Sequence, residues 1–368
     1  MEEIEGSKDS TLLMDAHCVE ECCGFADDAT YDDIKLQIEN CVLSKEEVLA
    51  NAKDVDKLVF EGGGVRGIAF GGSLRFLEEH KILQQIKSFA GSSAGAIVAT
   101  AVAIGFTSQE IIDVLQRTDF DKFKDDSWGV VLDLLRLLTQ YGIYKGDAFY
   151  KWFANLLKEK TGNADITFQQ IYEQYGTTLV ITGTCLNKAK TFYFNRHNPD
   201  FANMPVAFAV RASMSIPLFW KAVKYQDDLL VDGGVLNNFP IYCFDGKCIG
   251  DPDVTDEQTK NSTTIGLKLM TESEKADSLI YHQDTPIGGP IDYAKAFLNA
   301  MLIQIERGYI RGNYWNRTVC INTHDISSLD FHIDNDKKML LVHEGYIATK
   351  NFFYCRMNGI DNDMNKRI

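Results

Sequence analysis

Two short runs in this chain hold the residue types that acyl-group chemistry needs. Gly91-Ser92-Ser93-Ala94-Gly95 sets a serine among small residues, downstream of Glu61-Gly62-Gly63-Gly64-Val65-Arg66-Gly67. A serine that attacks an acyl carbon needs an exposed, activated hydroxyl and N–H donors aimed at the oxyanion that forms. The first run offers the nucleophile, Ser93. The second offers bare backbone amides from Gly62, Gly63 and Gly64 through Val65, Arg66 and Gly67, with the Arg66 charge beside them. Together they point to an acyl hydrolase.

The flanking elements must place that serine. Ile86 to Ala90 is a short, partly alternating segment that reads as a strand, and Ala94 to Phe106 is an apolar run that predicts a buried helix. Ser93 then sits on a strand-to-helix turn. A backbone strained in that way calls for small neighbours, and Gly91, Ser92, Ala94 and Gly95 supply them. The helix directs the positive end of its dipole at the nucleophile.

The glycine-rich run also fits G-x-G-x-x-G, with a strand over 55–60 before it and a helix over 68–80 after it. A dinucleotide site would place an acidic residue at the end of the next strand to hold a ribose. Here that strand ends in Gly91-Ser92-Ser93. The oxyanion reading accounts for both runs, so no cofactor is expected.

A serine needs a base. Asp232 follows the apolar stretch Leu229-Leu230-Val231 and precedes Gly233-Gly234. Carboxylates at strand ends are where open α/β sheets build their sites. A plain turn aspartate before two glycines has the same local sequence, so the residues alone leave its role open.

In these motifs the chain resembles the patatin-like phospholipase family. The glycine loop Gly62 to Gly67, the elbow Gly91 to Gly95, the run Arg211-Ala212-Ser213-Met214-Ser215-Ile216-Pro217 and Asp232-Gly233-Gly234 follow in the family's order. The resemblance spans roughly Lys57 to Pro240, about half the chain, and implies an α/β fold with three α/β/α layers and a mostly parallel central sheet. It also implies a Ser93–Asp232 dyad rather than a triad, with oxyanion donors around Gly63, Gly64 and Val65. The expected substrate is a phospholipid or lysophospholipid ester presented by a membrane or micelle. No metal is expected, since loop amides and Arg66 supply positive potential, and no nucleic acid.

Neighbouring activities remain open on the same site: a neutral-lipid lipase, an acyltransferase, or a non-catalytic lipid-binding protein. A triad would take its histidine from His282, His324, His332 or His343, in the order Ser…Asp…His. None lies in a stretch that reads as a strand-end loop, and His324 in Asn322-Thr323-His324-Asp325 is the best placed. His197 precedes Asp232 and reads as loop.

Composition sets the outer bounds. With 368 residues and 45% apolar content, the chain can bury one large core. The longest apolar run, Ala94 to Phe106, is 13 residues, too short to cross a bilayer. The start, Met1-Glu2-Glu3-Ile4-Glu5, is unlike a secretory signal. The nine cysteines form no regular framework, and the expected setting is cytoplasmic, with transient membrane contact. A zinc site at His17, Cys18, Cys22 and Cys23 is disfavoured by the doublet and the missing second pair.

The net charge of −15 is uneven: residues 1–56 hold 16 Asp+Glu and 4 Lys+Arg. The division expected is an acidic, partly helical leader over 1–56, a catalytic core over 57–240, and residues 241–368 packing on that core. The leader reads as a solubilising tail, or as a regulatory cap that opposes anionic membranes. Helices are expected over 31–41, from Ser44, from Thr107 through Arg117, over 128–138, 149–157, 291–305 and 338–354. Strands are expected over 178–185, 191–194 and 263–269.

Overall fold

The computed structural model describes residues 41–125, 141–245, 263–271 and 313–360, with isolated positions between them. The helices expected over 128–138 and 291–305, nearly all of that over 31–41, and the Cys18–Cys23 cluster lie outside the described residues. The chain opens with α1 (Lys45–Asn51), then β1 (Lys57–Phe60), a 3₁₀ turn (Gly64–Ala69) and α2 (Phe70–Glu79). Next come β2 (Ser88–Gly91), α3 (Ala94–Ala103) and α4 (Ser108–Arg117). Then follow β3 (Gly142–Tyr144), α5 (Asp147–Thr161), α6 (Phe168–Tyr175), β4 (Thr178–Cys185) and β5 (Lys190–Phe194). After these come α7 (Val206–Ser213), β6 (Leu218–Trp220), β7 (Val223–Tyr225), β8 (Asp228–Asp232) and the short α8 (Gly234–Asn237). Last are β9 (Thr264–Met270), β10 (Thr318–Asn322) and α9 (Asn335–Met357).

The main sheet runs β10-β9-β1-β2-β4-β8-β7, with β5 also on β4; β3 and β6 pair apart from it. From β10 to β4 every pairing is parallel, and β5, β7 and β8 run antiparallel to their partners. A parallel sheet needs cover on both faces, and the strand residues divide with period two. Leu58, Phe60, Phe89, Leu179 and Ile181 point into the large core. Val59, Ala90 and Val180 point the other way, onto Phe239, Ile241 and Phe244 from the turn after α8.

The register around β4 brings two strand ends together. Ile181 pairs with both Gly91 and Phe194, and Gly183 with both Asp232 and Phe192. A strand residue has two flanks, so β5 holds one flank of β4 while β2 and β8 share the other. Because β2 runs along β4 and β8 runs against it, their C-terminal ends meet head-on. Opposite Thr182 the gap is two register steps, about 7 Å. Ser93 and Asp232 enter the structure there.

Two features bear on how the chain divides. Residues 45–55 belong to the packed body, since Val48, Ala52 and Val55 are buried in the large core. Residues after 241 join the sheet itself. Strand β9 pairs directly with β1, and β10 extends the sheet beyond it.

Candidate active site

Ser93 caps α3 with φ 51° and ψ −124°, a left-handed conformation that a non-glycine residue takes only under constraint. Close packing imposes it. A Cβ on Gly91 would run into the Gly95 carbonyl, and one on Gly95 into the Phe60 and Glu61 carbonyls. The elbow thus brings the start of α3 against the end of β1. Small residues fill α3, so it lies directly on the sheet.

The Ser93 hydroxyl donates to Asp232 Oδ2 at 2.7 Å, and Met214 Sδ lies 3.5 Å from the same Oγ. The second carboxylate oxygen, Oδ1, accepts the Gly234 amide at 2.7 Å. Both residues are buried, at 4% and 5% exposure. Burial penalises the ionised carboxylate and pushes Asp232 up from 3.8 to about 7, against smaller opposing pulls from the Ser93 and Gly234 hydrogen bonds.

A turn after α7 clamps both partners. The Ser213 hydroxyl accepts the Ser93 amide at 2.9 Å, the Ser215 carbonyl accepts the Asp232 amide at 2.9 Å, and the Ser213 carbonyl accepts the Gly233 amide at 3.3 Å. Arg211 secures the turn from below, donating to Ser215 Oγ at 2.5 Å and to the Gly146, Lys145 and Lys221 carbonyls. Its guanidinium is deeply buried, and desolvation lowers it to about 10. Sequence reasoning noted this run without giving it a task.

The glycine loop passes over Ser93. A Cβ on Gly62 would lie 3.0 Å from Ser93 Cβ, and one on Gly67 would lie 3.1 Å from Ala94 Cβ. Three of the expected amides already have acceptors: Gly62 donates to the Asn238 carbonyl at 3.0 Å, Val65 to the Ser328 carbonyl at 3.1 Å and Arg66 to the Gly63 carbonyl at 3.2 Å. Those of Gly63 and Gly64 have none among the described residues. Gly64 turns with φ 56°, and a Cβ there would enter the Ser328 backbone. Arg66 is engaged locally, its Nε donating to the Gly63 carbonyl at 3.4 Å.

Behind the loop, Glu61 accepts Lys268 Nζ at 2.6 Å and the Leu269 amide at 2.7 Å. Both side chains are buried, so β9 holds the loop's first residue through an ion pair inside the protein. Sequence reasoning missed it. The visible signal was a lysine in the apolar strand Thr264–Met270.

No described histidine reaches the pair. The carboxylate of Asp232 is occupied by Ser93 and Gly234, while His324 faces Glu344 at 3.2 Å and His332 faces Asp121 at 3.4 Å. His282 lies outside the described residues.

Beside Ser93 opens an apolar pocket. Gly64, Ala94 and Met214 line it next to the serine, and Phe120, Phe123, Phe149, Trp220 and Phe331 form an aromatic wall. Among the described residues no ionisable side chain lines it.

Residues 58–245 match the family model described as "Patatin-like phospholipase". The chain belongs to the patatin-like phospholipase family. An uncharacterized Bacillus subtilis (strain 168) protein, YqhO, is 32% identical over 80% of this chain and 96% of its own length. An uncharacterized mimivirus protein, R571, is 29% identical over 80% of this chain and 93% of its own. A probable lipid hydrolase of invertebrate iridescent virus 6, 463L, is 29% identical over 50% of this chain and 61% of its own. Among solved structures, VipD from Legionella pneumophila superposes with a TM-score of 0.52 at 16% identity, covering 82% of this chain and 67% of that one. That likeness is one of fold, and this patatin-like chain shares its α/β sheet. Among the described residues no helix is long and apolar enough to cross a membrane.

Proposed function

We propose that this protein is a serine acyl hydrolase that releases fatty acid from phospholipid or lysophospholipid esters. The observation that carries the reading is the 2.7 Å bond from Ser93 Oγ to a desolvated Asp232 carboxylate. The relative named as a probable lipid hydrolase supports the same reaction class.

In this reading Ser93 Oγ attacks the ester carbonyl as its proton passes to Asp232 Oδ2. The carbonyl oxygen becomes an oxyanion, for which the Gly63 and Gly64 amides are the candidate donors. Collapse breaks the bond to the alkoxy oxygen, which takes the proton from Asp232 and leaves as the lysolipid or glycerophospho-alcohol. Water then attacks the acyl-enzyme, giving its proton to the same carboxylate. Collapse of the second intermediate returns that proton to Ser93 Oγ and frees the fatty acid. The positive end of α3 and the dry surroundings strengthen each electrostatic contact.

The test is fatty acid release from mixed phospholipid micelles by wild type, Ser93→Ala and Asp232→Asn. Release by wild type alone, with both variants folded, is the expected result. Release that survives Ser93→Ala would assign the nucleophile elsewhere.

A further inference from the structure

The family model ends at residue 245, yet the pocket beside Ser93 is completed by a residue far beyond it. Phe331 follows β10 in a segment that also supplies the Ser328 carbonyl to the glycine loop. Its ring stacks on Phe219 at 5.4 Å and meets Trp220 at 6.1 Å. Trp220 in turn stacks on Phe149 at 6.0 Å. Phe331 therefore finishes the aromatic wall rather than lying on it from outside.

Charge gathers beside the same ring. Lys124 Nζ lies 5.3 Å from its centroid and pairs with Asp121 at 2.5 Å. The adjacent His332 faces Asp121 as well. Phe331 thus touches both the pocket, whose described lining residues include no ionisable group, and a partly exposed ion pair. An apolar chain held in this pocket gains by burial against the Phe331 ring. Local hydrogen bonds hold the ring's backbone: the Phe331 amide donates to the Leu329 carbonyl at 2.9 Å and the Ile333 amide to the Asp330 carbonyl at 3.2 Å.

We propose that this pocket takes the acyl chain of the substrate and that Phe331 sets the chain length it accepts. The proposal rests on the reading of Ser93 as the nucleophile of an acyl ester. It assigns specificity to a segment outside the family-matched region. A smaller residue at 331 lengthens the pocket, and a larger one shortens it.

The experiment compares wild type, Phe331→Ala and Phe331→Trp on p-nitrophenyl acetate, butyrate, octanoate and palmitate. The readout is the ratio of kcat/KM for each longer ester to that for acetate within each protein. The preferred length is expected to move up in Phe331→Ala and down in Phe331→Trp, with a methylene at the wall changing the ratio by roughly tenfold. Identical profiles in the three proteins, or shifts in one direction for both variants, would overturn the proposal. Calorimetric binding of the matching fatty acids to Ser93→Ala, with and without Phe331→Leu, reads the same wall without turnover and with a gentler substitution. Longer fatty acids should bind more tightly when leucine replaces Phe331, and no binding in either protein would overturn the pocket assignment. Failure of the nucleophile reading looks different: wild type cleaves no ester of any length, and a fluorophosphonate leaves Ser93 unlabelled.

Discussion

The backbone amide of Ser93 donates to the hydroxyl of Ser213, at 2.9 Å and 120 residues away in sequence. The next residues of that turn hold the amides around Asp232, so one three-residue bracket sets both halves of the pair. Ser213→Ala leaves the Ser93 amide without its acceptor and frees the elbow to shift. The expected outcome is a fall in kcat of about tenfold or more with KM little changed, since small misplacements are costly at the reacting atoms. A purely structural serine would lower Tm and leave kcat per folded molecule intact, and that pattern would remove the positioning role.

The carboxylate of Asp232 must be ionised to take a proton. Its burial places the transition at about 7. Activity is therefore expected to fall as pH drops through that point and to level off above it. The check is kcat/KM against pH on a soluble ester whose own ionisation does not change. A rate that stays flat across neutrality would argue against Asp232 as the acceptor.

The same burial acts on stability. In the unfolded chain Asp232 releases its proton near 3.8, while in the folded chain it keeps it to about 7. Between those values the folded state binds the extra proton, so stability declines as pH rises across the window and stays reduced above it. The ceiling of this penalty is about 4 kcal/mol. Asp232→Asn carries no charge to desolvate and is expected to melt higher than wild type above neutrality. Its advantage should shrink as pH falls toward the lower value. Melting curves at several pH values check this, and a Tm difference independent of pH would contradict it.

The ion pair between Glu61 and Lys268 makes a further prediction. Lys268→Met alone leaves a buried carboxylate without this cation, at an expected cost of about 3–5 kcal/mol. Adding Glu61→Gln removes the charge and should restore much of that loss. Urea denaturation of the single and double variants measures both steps. A single variant as stable as wild type would mean that the pair contributes nothing to anchoring the loop.

Much of the site was legible because its constraints are local. The elbow around Ser93 reads from five consecutive residues, and the same close contacts that exclude side chains at Gly91 and Gly95 explain why those residues are glycine. Helix α4 was legible for the same reason, with Thr107 and Glu110 forming a reciprocal cap. What escaped depends on partners distant in sequence. Strands β3, β6 and β7 are three residues each, too short for a period to declare itself. The contact from Ser328 to Val65 and the place of Phe331 in the pocket wall have no local signature. Which amides of the glycine loop are already taken likewise depends on tertiary partners, the Asn238 carbonyl for Gly62 and the Ser328 carbonyl for Val65.

The head-on meeting of β2 and β8 along one flank of β4 makes the spacing between Ser93 and Asp232 a quantised property. A strand cannot slide by a fraction of a residue: one step moves its end by about 3.3 Å and turns each side chain to the opposite face. A single deletion within Asp228–Asp232 would therefore not stretch the pair slightly but withdraw the carboxylate altogether. The two partners are ruled to a common lattice of peptide bonds, so their spacing changes by whole residues or not at all.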